Sequence, residues 1–279
     1  MRKWIACLAA AGLFLPDPDA GVIQAQSIFP DKALESVVRK YVFAKRDSEE
    51  AIVEQDVANI STIHGSGKGI RSLAGLERCR SLTELNLEGN ELEDISVLAQ
   101  LATLQSVTLA RNKLRDLSPA TAWRNLQLLD VSDNQISDLA PLRDLVTLRS
   151  LCLSNNRIRD ISPLARLTKL TSLYLDRNQI EDISALENLA GLESLDLREN
   201  RVADLGPLKG LSQWKYLFLD KNKITDVRTL VEMGQRDKAG ARRFALVWSV
   251  YLSGNPLSRA ARESQLAELR RVAKTVVFK

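Results

Sequence analysis

One histidine, three cysteines and many carboxylates in this sequence could do acid–base, nucleophilic or metal chemistry, and their spacing decides which. His64 is the only histidine. Any Ser/His/Asp or Cys/His nucleophile system would have to use it, and a zinc site rich in imidazoles is excluded. The run Gly65-Ser66-Gly67-Lys68-Gly69 superficially resembles a phosphate loop, yet it lacks the G-x-x-x-x-G-K-[ST] spacing and opens no helix. Seven aspartates, Asp94, Asp116, Asp138, Asp160, Asp182, Asp204 and Asp226, recur every 22 residues and invite a metal or general-acid reading. Arg236, Asp237, Arg242 and Arg243 gather charge near the C-terminal end without catalytic spacing. No catalytic constellation emerges. The expectation is a protein that is not an enzyme, with no metal and no cofactor.

The elements that position these residues explain them better. Asn90, Asn112, Asn134, Asn156, Asn178, Asn200 and Asn222 keep the same 22-residue period, within the pattern Leu82-x-x-Leu85-x-Leu87-x-x-Asn90-x-Leu92-x-Asp94-Ile95-x-x-Leu98-x-x-Leu101. A fixed period of this size marks a solenoid. Side chains alternate along a strand, so Leu85 and Leu87 point inward while Glu84, Asn86 and Glu88 point outward. One coil cannot bury its leucines alone, whereas stacked coils fuse them into one core. The recurring Asn falls where the chain turns off the strand, and its amide can satisfy buried backbone groups there. The recurring Asp reads as a cap for the short turn that follows. Pro119, Pro141, Pro163 and Pro207 stand three residues after their Asp, at turn positions that need no N–H. Long helices do not fit in 22 residues, so 3₁₀ turns and extended chain are expected opposite the strands.

Both ends depart from the period. Arg2 and Lys3 precede an apolar run from Trp4 to Leu15, followed by polar sequence and Ile23-Gln24-Ala25. These are the parts of a secretory signal peptide over 1–25 with cleavage after Ala25, and the run is too short to span a bilayer. The alternative is a retained apolar helix or anchor. Residues 26–59 form a helical N-terminal cap: a helix begins at Pro30-Asp31 with Ala33, Leu34, Val37, Val38, Tyr41 and Val42 on its apolar face, and a second short helix covers Ser48 to Val57. The repeats occupy 60–257, starting with a degenerate coil whose Asn slot holds Lys68. Asn255 follows Asn222 by 33 residues rather than 22, which places an insertion of partly helical character at about 227–246. Residues 258–279 form the C-terminal cap, with a helix over Arg259 to Ala273 and a strand over Thr275 to Phe278.

From Arg228 to Lys279 there are eleven Lys/Arg against four Asp/Glu, which leaves the remainder of this chain of net charge +4 slightly acidic. No base-stacking motif and no basic groove with interleaved aromatics is evident in this end, which argues against a nucleic-acid surface. Cys7 lies in the apolar run. Cys79 and Cys152 fall three coils apart, roughly 14 Å at the strand spacing, beyond the ~7 Å that a disulfide allows.

Coils such as Leu148 to Leu164, with Leu-x-x-Leu-x-Leu-x-x-Asn-x-Ile-x-Asp-Ile-x-Pro-Leu, resemble the internalin-type leucine-rich repeats of exported bacterial proteins. The leader from Phe29-Pro30-Asp31 to Gly67-Lys68-Gly69-Ile70 resembles the N-terminal caps of that group. The resemblance implies an α/β fold: a right-handed leucine-rich repeat solenoid with a concave parallel β-sheet, a 3₁₀ or extended convex side, and helical caps. It implies binding of other molecules, usually proteins, on the concave sheet.

Function should then lie on the outward strand positions, since the inward ones are committed to packing. One outward column runs Asn86, Thr108, Asp130, Cys152, Tyr174, Asp196, Phe218, Tyr251, and the column beside it runs Glu84, Ser106, Leu128, Ser150, Ser172, Ser194, Tyr216, Ser249. Tyr174, Tyr216, Phe218 and Tyr251, with Trp248 near, would anchor a ligand, and Asp130, Asp176, Asp196 and Arg198 would form a polar rim. The alternative is that the insertion folds over these aromatics. The expected partner is a protein, or else a glycan, bound by a monomer in the secreted or cell-envelope space. A cytosolic phosphatase-type regulatory subunit and a structural spacer are the competing readings.

Overall fold

The computed structural model describes residues 26–240 and 243–279. The proposed leader, its cleavage position and Cys7 lie outside the described residues, as does Arg242. An N-terminal cap contains helix α1 (Lys32–Arg39) and the single turn α2 (Glu54–Val57). Strand β1 (Thr62–His64) opens the repeats, followed by β2 (Glu84–Asn86), β3 (Ser106–Thr108), β4 (Leu128–Asp130), β5 (Ser150–Cys152), β6 (Ser172–Tyr174), β7 (Ser194–Asp196) and β8 (Tyr216–Phe218). Helix α3 (Arg228–Ala239), β9 (Ser249–Tyr251), α4 (Leu266–Val272) and β10 (Thr275–Val277) complete the chain. All ten strands form one parallel sheet in sequence order. Its register places Leu85, Val107, Leu129, Leu151, Leu173, Leu195, Leu217 and Val250 in one inward row.

That row and its neighbours are fully buried. Parallel strands are normally covered by helices; here short 3₁₀ turns such as Ser96–Gln100, Ser118–Ala122 and Ser162–Arg166 cover the inner face. The repeated Asp caps each turn through the N–H two residues on: Asp94 accepts from Ser96 at 2.7 Å, Asp116 from Ser118 at 2.8 Å and Asp160 from Ser162 at 2.8 Å. Pro119, Pro141, Pro163 and Pro207 occupy the first positions of their turns.

The asparagines do more than finish their own bends. Asn156 Nδ2 donates to Leu153 O (3.1 Å) and Ser154 O (3.2 Å) in its own coil and to Val131 O (3.0 Å) in the coil before. Its Oδ1 accepts from Ile136 N, also in the preceding coil, at 2.9 Å. Asn112, Asn134, Asn178 and Asn200 repeat this set. The ladder therefore binds each coil to its predecessor. At the start, where Lys68 replaces Asn, Asn90 Oδ1 accepts from both Lys68 N and Ile70 N. At the end, Asn255 reaches across the insertion to Asn222 N and Ile224 N. The residue before each Asn is left-handed: Arg111, Asp133, Asn155, Arg177, Glu199 and Lys221 have φ between 52° and 58°. Such a backbone costs non-glycine residues about 1–2 kcal/mol each, which the packed ladder sustains.

Asp31 ties the N-terminal cap to the first coil. It caps α1 through Ala33 N and Leu34 N, and its other oxygen accepts from Arg71 N and Ser72 N. Partial burial pushes this carboxyl up, but the four backbone bonds outweigh that and hold it below the ordinary range. Of the expected apolar face, Leu34, Val37, Val38 and Val42 are buried, whereas Tyr41 is exposed and gives its hydroxyl as acceptor to His64 N. The second helix is shorter than expected. Only Glu54–Val57 is helical, because Lys45 Nζ and Arg39 hold the preceding chain by its carbonyls in an irregular loop.

The insertion forms α3, which lies beside α4 and continues the turn side of the coils. Its first residue, Arg228, stands two after Asp226, whose Oδ1 accepts from Arg228 N like any turn-capping aspartate. The C-terminal helix runs as expected, but its first part, Ala261–Gln265, is a π-turn leading into α4. Gly234 sits mid-helix in α3 because an added Cβ would lie 2.4 Å from Val272 Cγ2. Cys79 is buried and Cys152 half-buried; both are free thiols that burial pushes up to about 12. Trp123 Nε1 donates to Leu98 O, whereas the buried indoles of Trp214 and Trp248 have no partner among the described residues.

Two outcomes follow from this packing. Asn156→Ala orphans backbone groups in two coils and should cost about 3–5 kcal/mol in urea unfolding. Gly234→Ala should destabilise by about 1–3 kcal/mol despite the better helix propensity of Ala, and Val272→Ala in the same chain should restore part of the loss.

Candidate ligand-binding face

The outward columns fall where the alternation of the strands requires. Glu84 through Ser249 align in one row, and Asn86 through Tyr251 in the next. Neither row is covered by α3, which stays with the turns. The aromatics at the C-terminal end touch each other. Phe218 and Tyr251, paired across β8 and β9, have ring centroids 4.6 Å apart and planes within 21°. Tyr216, two residues before Phe218, is parallel to it within 9° at 6.1 Å. Tyr216 is exposed by 47%, and Phe218 and Tyr251 are half-buried.

Arg198 completes the ladder, with its guanidinium 5.1 Å from the Phe218 ring centroid. Asp196 orients it: Arg198 Nε lies 2.9 Å from both carboxylate oxygens. The Asp196 side chain is only 3% exposed against 47% for Arg198. Hydrogen bonding to Asp196, with the nearby charges of Asp176 and Asp220, pushes the already high guanidinium pKa further up. Asp196 is therefore not the exposed rim residue expected. Tyr174 and Phe218 flank it in the same column, and its charge is used internally.

Trp248 is also corrected. It is fully buried, edge-on to Phe244 at 5.1 Å, and faces the gap that Gly234 leaves in α3. The repeat phase cannot be carried through the insertion, so the residue just before β9 turns toward α3 rather than outward. Tyr174 and Asp130 do lie outward and half-buried, but Tyr174 is two strands from Phe218 and outside the stacked group. Arg198 as a ring-stacking residue was not legible from its rim position; the signal was Asp196 two residues earlier on the same face.

His64 Nε2 on β1 meets Glu84 Oε1 on β2 at 2.9 Å, and the residues in register beside Glu84 are Thr62 and Ser106. Among the described residues no group of three or more His, Cys, Asp or Glu side chains could hold a metal ion. A shallow hollow of about 400 Å³ adjoins the ladder, lined by Arg198, Glu199, Asp220, Lys221, Ser253 and Gly254.

Comparison with known proteins agrees with this architecture. Family models described as Leucine Rich repeats (2 copies) match residues 146–188 and 191–232, with two further leucine-rich repeat models at 102–158 and 78–99. The chain is similar in structure to internalin C2 of Listeria monocytogenes, at 27% identity and TM-score 0.62, over 92% of this chain and 99% of that one. It shares the fold of a leucine-rich repeat protein of Leptospira interrogans, at 21% identity and TM-score 0.54, over 72% of this chain and 56% of that one. It also shares the fold of the leucine-rich repeat ectodomain of the Arabidopsis thaliana receptor kinase GASSHO1/SCHENGEN3, solved in complex with CASPARIAN STRIP INTEGRITY FACTOR 2. There the identity is 21% and the TM-score 0.55, over 66% of this chain and 23% of that one. No curated protein matches the chain in sequence.

The Asp196–Arg198 pair yields one outcome to measure. Arg198→Ala strands a buried carboxylate and should cost about 1–2 kcal/mol in thermal or urea unfolding, the half-exposed Arg limiting the loss. Asp196→Asn in the same chain should recover most of it.

Proposed function

We infer, for a chain that belongs to the leucine-rich repeat family and is internalin-like in architecture, that its concave sheet is a binding face for a protein ligand. The observation that carries this reading is the stacked group of Tyr216, Phe218 and Tyr251, open on a sheet whose backbone is fixed by the core. Aromatics held in one conformation lose little entropy on contact, and such residues dominate binding energy at interfaces. Leucine-rich repeat domains commonly recognise proteins, and the plant receptor ectodomain was solved in complex with CASPARIAN STRIP INTEGRITY FACTOR 2. A purely structural spacer has no need of outward aromatics, so the spacer reading is the weaker one.

The protein acts by binding, as a monomer, without catalysis. The leader-like sequence of residues 1–25 and the likeness to an internalin favour a secreted or envelope location. Among the described residues no helix is long and apolar enough to cross a membrane.

Affinity capture from the envelope and medium of the source cell tests the reading, with the full chain beside a Tyr216→Ala/Phe218→Ala/Tyr251→Ala variant of unchanged melting temperature. A protein held by the parent and lost by the variant is the expected result. Equal capture by both would move the site elsewhere. Phe218→Ala alone should weaken binding of that ligand about tenfold or more, equivalent to ~1.4 kcal/mol or more, and should leave unfolding almost unchanged. Loss of folding instead would make Phe218 a core residue.

A further inference from the structure

We propose that the ligand of this face is a basic polypeptide segment in extended conformation, crossing the strands with Lys or Arg side chains set against the concave carboxylates. This rests on the binding role given to the face above and specifies its partner.

The first support is charge. Over β2 to β9 the three outward columns hold six carboxylates, Glu84, Glu88, Asp130, Asp176, Asp196 and Asp220, and one constitutive cation, Arg198. The chain as a whole carries +4. The face is thus opposite in sign to the molecule that bears it. Three of the six are paired within the fold, Glu84 with His64, Glu88 with Arg111 and Asp196 with Arg198. Asp130, Asp176 and Asp220 have no cation in ion-pair range among the described residues. One oxygen of each accepts a bond within the fold, from Ser132 N, Ser154 Oγ and Ser253 N respectively, and the second oxygen of each is unused. Half-buried on a sheet that low-dielectric neighbours surround, they attract a cation more strongly than surface carboxylates do.

The second support is spacing. Asp176 and Asp220 stand in one column two strands apart, which is about 10 Å at the strand repeat. An extended chain of polyproline II type rises about 3.1 Å per residue and turns once every three residues, so side chains at i and i+3 lie on one face about 9 Å apart.

The third support separates a peptide from a sugar. Stacking of a sugar needs an open ring face. Phe218 has Arg198 on the β7 side at 5.1 Å and Tyr251 on the β9 side at 4.6 Å, so both of its faces are covered. What Phe218 offers is its ring edge, which carries the positive end of the aromatic quadrupole and suits carbonyl oxygens, and beside it stand the phenol groups of Tyr216 and Tyr251. A peptide backbone supplies those carbonyls, and the aliphatic stems of Lys and Arg cover the rings.

Selection of linear peptides of about 12 residues from a random displayed library against the full chain tests the proposal. The expected result is enrichment of net-positive sequences with Lys or Arg pairs spaced three apart. Their Kd should rise about tenfold in an Asp130→Asn/Asp176→Asn/Asp220→Asn variant of unchanged melting temperature, and should rise with salt as screening predicts. Enrichment of acidic or uncharged peptides, of no peptide, or of basic peptides indifferent to that variant overturns it. Peptides of any charge that are lost in the Tyr216→Ala/Phe218→Ala/Tyr251→Ala variant leave the binding face standing when the charge proposal has failed. Binding unchanged in both variants removes the face as well.

Discussion

The side-chain amide of one asparagine per coil is the interaction on which the structure depends. A coil that turns sharply off its strand leaves backbone N–H and C=O groups inside, where no water can reach them. Asn134, for example, donates to Leu109, Val131 and Ser132 and accepts from Leu114 N, closing two coils at once. Only a residue with donors and an acceptor on one short, rigid group can do this. Once the polar groups are settled, the leucine rows pack without competition, and the outward side chains inherit a fixed backbone. The left-handed residue before each Asn is part of the same constraint, since the bend it makes brings the amide to its partners.

This also explains which parts were legible in the sequence. The strict period fixes inside and outside for every coil from Leu82 to Asn222, so the two outward rows and the aspartate caps could be read without coordinates. Legibility failed where the period did. Trp248 follows the insertion, and its direction is set by α3 and the notch at Gly234, which no repeat position encodes. The chain between Phe43 and Glu54 is shaped by Arg39 and Lys45 reaching to distant carbonyls, so the helical pattern over Ser48 to Val57 overstated the helix. Asp196 shows a subtler limit: its row is outward as read, but large neighbours and Arg198 bury an outward position.

The binding face follows from the division of labour between the two sides of the strand. Inward residues carry nearly all of the packing, leaving Tyr216, Phe218 and Tyr251 free to be chosen for contact rather than for stability. The Asp196–Arg198 pair is the link between the two roles, because a buried carboxylate holds a guanidinium against an exposed ring. Sequence and geometry together give a surface rigid at its base and chemically uneven along its length, with carboxylates at β2, β4, β6, β7 and β8 and aromatics at one end.

The asparagine bonds point one way. Each amide completes the coil before it, with Leu92 N, for instance, served by Asn112, 20 residues later in sequence. Polypeptides are made from the N-terminus. A nascent coil therefore keeps unpaired backbone groups until the next asparagine has left the ribosome, and folding during synthesis must trail elongation by one full coil. The last step falls to Asn255, which reaches Asn222 N and Ile224 N only after the whole of α3 has been added.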